Sequence, residues 1–209
     1  MTTAILDENG LNRAADIILN GGLVAVPTET VYGLAACGLK GEAVAKIYEV
    51  KGRPGTRPIS LLISDMKQAE KLCRDIPKEA YALAEAFWPG PLTMILKKAD
   101  CVPDIVTAGG DTVGVRCPDH KLTLKIIDLA DAPLAAPSAN PFGKTSPKDF
   151  ESVLDYFDGK IEGAVDGGRC SVGIESTIVD MTVRPFKILR QGGLDKEKIE
   201  DVLKAEVSL

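Results

Sequence analysis

Lys51, Arg53 and Arg57 put three cations into the seven residues Lys51-Gly-Arg-Pro-Gly-Thr-Arg57, and no Asp or Glu occurs from Val50 through Ser64. Cations at that density, with no local acid to neutralise them, suit the gathering of a polyanion, and phosphate is the obvious candidate. The Gly and Pro residues between them predict a loop, whose side chains and backbone N–H groups are free to converge on one ligand. Without acidic neighbours these cations are expected to serve a ligand rather than a folding ion pair. A short basic loop is also the ordinary form of a solvated connection, so other segments must decide between the two readings.

Four further segments join apolar runs to polar, Gly/Pro-punctuated turns: Pro27–Gly33, Val113–Pro118, Ala136–Asn140 and Gly173–Asp180. Each offers hydroxyl, amide or guanidinium groups at the end of a predicted strand. A lone Ser or Thr in such a turn is usually a local cap. Five such places in one chain exceed what capping requires. Arg116 and Arg190 are each flanked by apolar strand residues, which predicts guanidinium groups emerging at strand ends toward a shared cleft. With the loop cations, that makes a positive pocket.

Common templates are absent. Ser138-Ala-Asn-Pro-Phe-Gly-Lys-Thr145 imitates a phosphate loop, but Ser138 replaces its first glycine, Pro141 removes an N–H, and Pro147 stops a continuing helix. Neither G-x-G-x-x-G nor G-x-S-x-G occurs. His120 is the only histidine, which excludes multi-histidine metal sites and H-E-x-x-H. In its turn, Cys117-Pro-Asp-His120, it reads as a surface or cap residue. The acids Glu29, Glu175 and Asp180 could approach a metal, yet each suits a cap or ion pair equally well, and the metal ligands stay unassigned.

The elements that must position these groups follow from periodicity. Leu11, Ala14, Ala15, Ile18 and Leu19 have amphipathic helical spacing, and Gly21-Gly22 is a natural stop. Strands are predicted at 23–26, 31–34, 59–63, 92–97, 112–116, 133–137, 176–181 and 186–190, and helices at 42–50, 66–73, 80–88, 121–130, 149–157 and 195–204. Asp65 and Gln68 form a predicted capping box. Helices alternating with apolar strands predict α/β layers around a mixed sheet, and the absence of linkers and repeats predicts a single domain over 1–209. The 209 residues carry 25 Lys plus Arg against 30 Asp plus Glu, a net charge of −5, which argues against a dedicated nucleic-acid binder and confines any polyanion to a local site. No apolar run suits a membrane helix, the N-terminus lacks a secretory pattern, and five cysteines without a C-x-x-C pair read as reduced thiols, so a cytoplasmic location is expected.

Six segments in order, Pro27-Thr-Glu-Thr-Val-Tyr-Gly-Leu34, Lys51-Gly-Arg-Pro54, Trp88-Pro-Gly-Pro-Leu-Thr93, Val115-Arg-Cys-Pro118, Pro137-Ser-Ala-Asn140 and Ser176-Thr-Ile-Val-Asp180, resemble the YrdC-like threonylcarbamoyl-AMP synthases across about residues 10–193. The resemblance implies a twisted open mixed α/β sheet with flanking helices and a concave, positively charged cleft, and the conversion of L-threonine, bicarbonate and ATP, with Mg²⁺, to threonylcarbamoyl-AMP and pyrophosphate. It further implies a downstream tRNA threonylcarbamoyl transferase complex that uses the adenylate; with 30 acids against 25 bases, any binding of tRNA by this chain is expected to be weak. By motif, Thr28, Arg116 and Ser176 would hold threonine. Lys51, Arg53, Arg57, Thr112, Ser138, Asn140, Ser146 and Arg190 would hold ATP, with Lys51 and Arg53 stabilising charge during a reaction that requires no side-chain nucleophile. Two departures bear on this transfer: Arg57 stands where some relatives have Asn, and Leu62 where some have His. The chain is also expected to lack the extra C-terminal domain of longer members. Rival readings are a non-catalytic RNA-binding module and a carbamoyl-adenylate-forming domain for another substrate.

Overall fold

The helical spacing near the N-terminus becomes α1 (Leu11–Leu19), with Leu11, Ala14, Ala15 and Ile18 buried, in a computed structural model that describes residues 2–208. Along the chain follow β1 (Ala4–Leu6) before that helix and β2 (Val24–Val26), β3 (Gly33–Cys37), α2 (Gly41–Lys51), β4 (Leu61–Leu62), α3 (Met66–Leu72), β5 (Cys73–Arg74), α4 (Lys78–Phe87), β6 (Leu92–Lys98) and β7 (Thr112–Arg116) after it. The remainder comprises α5 (Lys121–Ala130), β8 (Leu134–Ala135), α6 (Phe150–Phe157), β9 (Gly163–Val165), β10 (Thr177–Asp180), β11 (Lys187–Arg190) and α7 (Lys196–Leu203).

Most predicted elements are present, and the differences have local causes. β1, β5 and β9 are two or three residues long, too short for alternation to register. The strand predicted at 59–63 narrows to β4, because the Ile59 N–H leaves the ladder for the Val106 carbonyl at 2.8 Å. Asp65 caps α3 through the Gln68 N–H at 2.8 Å, while Gln68 Oε1 accepts from Ser64 N at 3.1 Å instead of closing the box on Asp65. The basic segment is not wholly a loop. Lys51 is the last residue of α2 and is buried, and the helix stops one residue later, where Gly52 takes a left-handed φ of 61°.

The strands form one mixed sheet in the order β1-β9-β2-β3-β8-β4-β7-β6-β10-β11, with β5 paired to β6. β1, β9 and β2 run parallel, β2, β3, β8 and β4 alternate antiparallel, and the β4–β7 and β6–β10 pairs are parallel again. Side chains alternate between two apolar layers, as a period of two requires. Val24 and Val26 face one layer with Ala35, Cys37 and Leu62, where α1 and α5 pack, whereas Ala25, Leu34, Ala36 and Leu61 face the larger layer that holds residues of α2, α3, α4, α6 and α7. β3 is buried throughout because both faces are covered. Among the described residues, no helix is long and apolar enough to cross a membrane.

The β2–β3 connection is fastened from outside. Tyr32 is fully buried, and its hydroxyl donates to Gly168 O at 2.8 Å and accepts from Gly167 N at 3.1 Å. Burial raises its pKa above the usual tyrosine value. Tyr32→Phe keeps the packing and removes both bonds, leaving two backbone groups without this partner. Its expected cost is about 1–2 kcal/mol, or roughly 3–6 °C in Tm for a chain of this size. A melting curve superimposable on the parent's would show that the hydroxyl does not hold the 167–168 turn.

Candidate active site

One cleft collects the strand ends. Arg116 closes β7 and Arg190 closes β11, and both line the cleft together with Thr28, Arg53, Ser138 and Ser176. The convergence of Arg116 and Arg190 expected from their apolar flanks is therefore present. Three guanidinium groups face the space, but two are paired. Arg116 NH2 lies 2.7 Å from Glu29 Oε2 with both side chains buried, and Arg190 meets Glu175 at the cleft edge.

Glu29 and Arg116 form the buried half of the site. Arg116 Nε donates to Gly90 O at 3.2 Å, and Glu29 Oε2 also accepts from Asp119 N at 3.1 Å. Removal from water pushes the arginine pKa down, and Glu29 pushes it back up. Glu29 Oε1 and Arg116 NH2 are buried without an aligned hydrogen-bond partner, so the ion pair is close but imperfectly aimed. His120 precedes α5 without capping it, and its Nδ1 is also buried without a partner. Burial lowers its pKa, against the opposing charges of Glu29 and Asp119.

The hydroxyls divide into a satisfied turn and a second, buried pair on the cleft wall. Thr28 Oγ1 accepts from Thr30 N and Val31 N, both at 3.2 Å, and donates to Val31 O at 2.6 Å. It therefore behaves as the turn stabiliser that its residue type favours. Thr30 Oγ1 stands 2.8 Å from it and also lines the cleft. Ser176 Oγ is 2.8 Å from Thr93 Oγ1 and accepts from Arg190 NH2 at 3.2 Å. Thr30 and Thr93 belong to the quoted motifs but were not singled out, since nothing in a sequence separates a hydroxyl used by its own turn from its neighbour. Close backbone approach shapes this wall: a Cβ on Gly192 would sit 2.1 Å from Glu175 O.

The other predicted residues scatter around the cleft. Arg53 lines it, with Nε on Arg57 O at 3.2 Å and NH2 on Pro58 O at 2.9 Å, and burial lowers its pKa. Arg57 does not line it, and its guanidinium lies 5.9 Å from the Phe142 ring centre. Leu62, in the place of a histidine, is a buried apolar piece of the wall. Thr112 opens β7 opposite Lys97 and does not line the cleft. Ser146 reaches it indirectly, donating to Glu175 Oε1 at 2.9 Å. Asn140 lies behind, its Nδ2 on Pro141 O at 3.0 Å and Lys144 O at 2.7 Å.

Lys51 departs most from expectation. Its Nζ donates to Ser138 O at 2.5 Å and to Asn140 O, so the side chain ties the end of α2 to the turn that presents Ser138. Burial first, then Arg53, pushes its pKa down to about 7, while Glu175 opposes the shift. Two carbonyl acceptors suit an amine as well as an ammonium, so the tether does not require the charge. The expectation that Lys51 is free of the fold is thus corrected. Of the acids left unassigned, Glu29 and Glu175 are ion-paired and Asp180 Oδ1 accepts from Thr182 N at 2.8 Å and Thr182 Oγ1 at 2.6 Å. Among the described residues, no group of three or more His, Cys, Asp or Glu is placed to hold a metal.

Lys51→Met retains the buried stem and deletes both donations. We expect a loss of about 1–3 kcal/mol, measured by denaturant unfolding, with faster hydrogen exchange confined to 138–144. Parental stability and unchanged exchange would refute the tether.

The Sua5/YciO/YrdC family model, described as "Telomere recombination", matches residues 16–192. The chain is 49% identical over 198 residues to the threonylcarbamoyl-AMP synthase of Pyrococcus abyssi, covering 95% of this chain and 58% of that protein. It is 46% identical over 192 residues to that of Bacillus subtilis, covering 91% and 56% respectively. It therefore spans little more than half the length of these relatives. The crystal structure of P. abyssi Sua5 complexed with L-threonine superposes with a TM-score of 0.96 at 47% identity, covering 98% of this chain and 62% of that one. By sequence and by fold alike, the chain belongs to the Sua5/YciO/YrdC family.

Proposed function

We propose that this chain is an L-threonylcarbamoyladenylate synthase, a nucleotidyltransferase of the cytoplasm that joins L-threonine, bicarbonate and ATP into threonylcarbamoyl-AMP with release of pyrophosphate. A separate tRNA threonylcarbamoyl transferase complex would consume the adenylate. The observation that carries this reading is the convergence of Arg116, Ser176, Arg53 and Arg190 on one cleft lined by hydroxyls and guanidinium groups together. The names of the relatives and the threonine complex of a close structural neighbour support it.

The chemistry suits what lines the cleft. The threonine amine condenses with bicarbonate, releasing water, and gives a carbamate. A carbamate oxygen attacks the α-phosphorus of ATP, and the bond to the pyrophosphate oxygen breaks. Arg116 pairs the threonine carboxylate, and Ser176 with Thr93 orients its polar groups. Arg53 and Arg190 bind phosphate oxygens. Such a displacement needs reactants held in line and charge neutralised, not a protein nucleophile. Mg²⁺ enters with ATP as part of the substrate, since hard, hydrated Mg²⁺ is usually held by substrate phosphates with few protein ligands.

Purified protein should release pyrophosphate only when ATP, threonine and bicarbonate are all present, and without tRNA. Folded protein that binds structured RNA at moderate salt, with no threonine-dependent use of ATP, would instead support an RNA-binding module. Arg53→Ala should lower turnover on the order of 10²-fold. Ser176→Ala should raise the threonine requirement roughly tenfold, the worth of one hydrogen bond, with little change toward ATP. The reverse partition would move Ser176 to the nucleotide.

A further inference from the structure

We propose that Glu175 is an internal stand-in for phosphate: its carboxylate holds the place between Arg190 and Ser146 that polyphosphate oxygens take, and it yields that place when ATP binds. The inference rests on the polyphosphate reading of the cleft and adds a residue that competes with the ligand.

The geometry is that of an anion already seated among donors. Glu175 Oε1 accepts from Ser146 Oγ at 2.9 Å, and Oε2 accepts from Arg190 NH1. The carboxylate is also near enough to Lys51 and Arg53 that its charge raises the pKa of both, against the burial that lowers them. It is thus the acid shared by Arg190, Arg53 and Lys51. A carboxylate and a phosphate present similar pairs of anionic oxygens to a guanidinium, so the same donors accept either.

Arg190 does not depend on Glu175 for its position. Arg190 keeps Nε on Ser176 O at 3.0 Å and NH2 on Ser176 Oγ at 3.2 Å, leaving NH1 as the arm that can change partner. The backbone of Glu175 is fixed independently, its carbonyl accepting from Gly193 N at 2.9 Å. With side chains 40% and 37% exposed, Arg190 and Glu175 meet at an accessible edge where a carboxylate can rotate into water. A buried ion pair such as Glu29 with Arg116 offers no such exit.

The sign of one measurement separates this role from its rivals. Binding of ATP and of inorganic tripolyphosphate is measured by calorimetry on the whole chain, with Mg²⁺ and with chelator. Glu175→Gln should bind both ligands about fivefold more tightly, through loss of a nearby like charge. Glu175→Ala, which also removes the competing oxygens, should bind them at least as tightly as Gln, and the gains should persist in chelator. Unchanged affinity would reduce the contact to an ordinary surface ion pair and overturn the proposal. So would weaker binding in both conditions, or weaker binding only with Mg²⁺, the latter assigning the residue to the metal. If the parent protein binds neither ligand, the polyphosphate reading falls as well; if the parent binds and neither variant binds more tightly, only the stand-in role falls.

Discussion

The buried amine of Lys51 is the contact on which the cleft's geometry rests. Its two donations, to Ser138 O and Asn140 O, bind the last turn of α2 to a segment almost ninety residues away. The Phe142 N–H returns to Lys51 O at 2.7 Å, and Asn140 Nδ2 closes the following turn on Lys144 O. Helix end and loop consequently behave as one body. Gly52 then turns the chain with a positive φ, and Arg53 folds back on the carbonyls of Arg57 and Pro58. A lysine is suited to this task because its long stem crosses apolar surroundings and its head brings several donors to one point.

That use of Lys51 also marks the limit of what the sequence discloses. The density of cations in 51–57 points to a segment that borders the cleft through Arg53, because composition and Gly/Pro punctuation are local properties. Whether each cation faces ligand, carbonyl or ring is decided by residues far along the chain. Lys51 turned inward, Arg57 lies against Phe142, and Arg53 reached the cleft. The long amphipathic helices and the strands at 92–97 and 112–116 were legible for the same local reason. β1 and β9 were not, since strands of three residues are defined by their partners. Arg116 and Arg190 were read correctly because an arginine amid apolar strand residues has few places to go except the strand's end.

Arginine pairing divides the cleft into two regimes. Arg116 is shut away with Glu29, where desolvation makes the pair costly to separate and holds the guanidinium in one orientation. Arg190 is paired at the edge, where water screens the attraction and the partner can be exchanged. The proposed reaction, with a small zwitterion to hold firmly and a polyphosphate to hold transiently, has use for both. The first needs a fixed direction for recognition, the second a reserve of donors that do not repel one another before the ligand arrives.

The sheet explains why these regimes meet. β7 and β6 sit side by side toward one end of the strand order, β10 joins β6 in parallel, and β11 returns antiparallel to β10. Arg116 at the end of β7, Thr93 near the start of β6 and Ser176 just before β10 are therefore drawn to one edge, together with Arg190 at the end of β11. Neighbouring strands lie roughly 5 Å apart, so residues widely separated in sequence come within reach of a single small ligand. Gly192 completes the arrangement, since a side chain there would strike Glu175 O and hold the 190–193 segment away from Ser176. The hydroxyl pair and the exchangeable guanidinium thus occupy neighbouring positions as a consequence of strand order, before any ligand is considered.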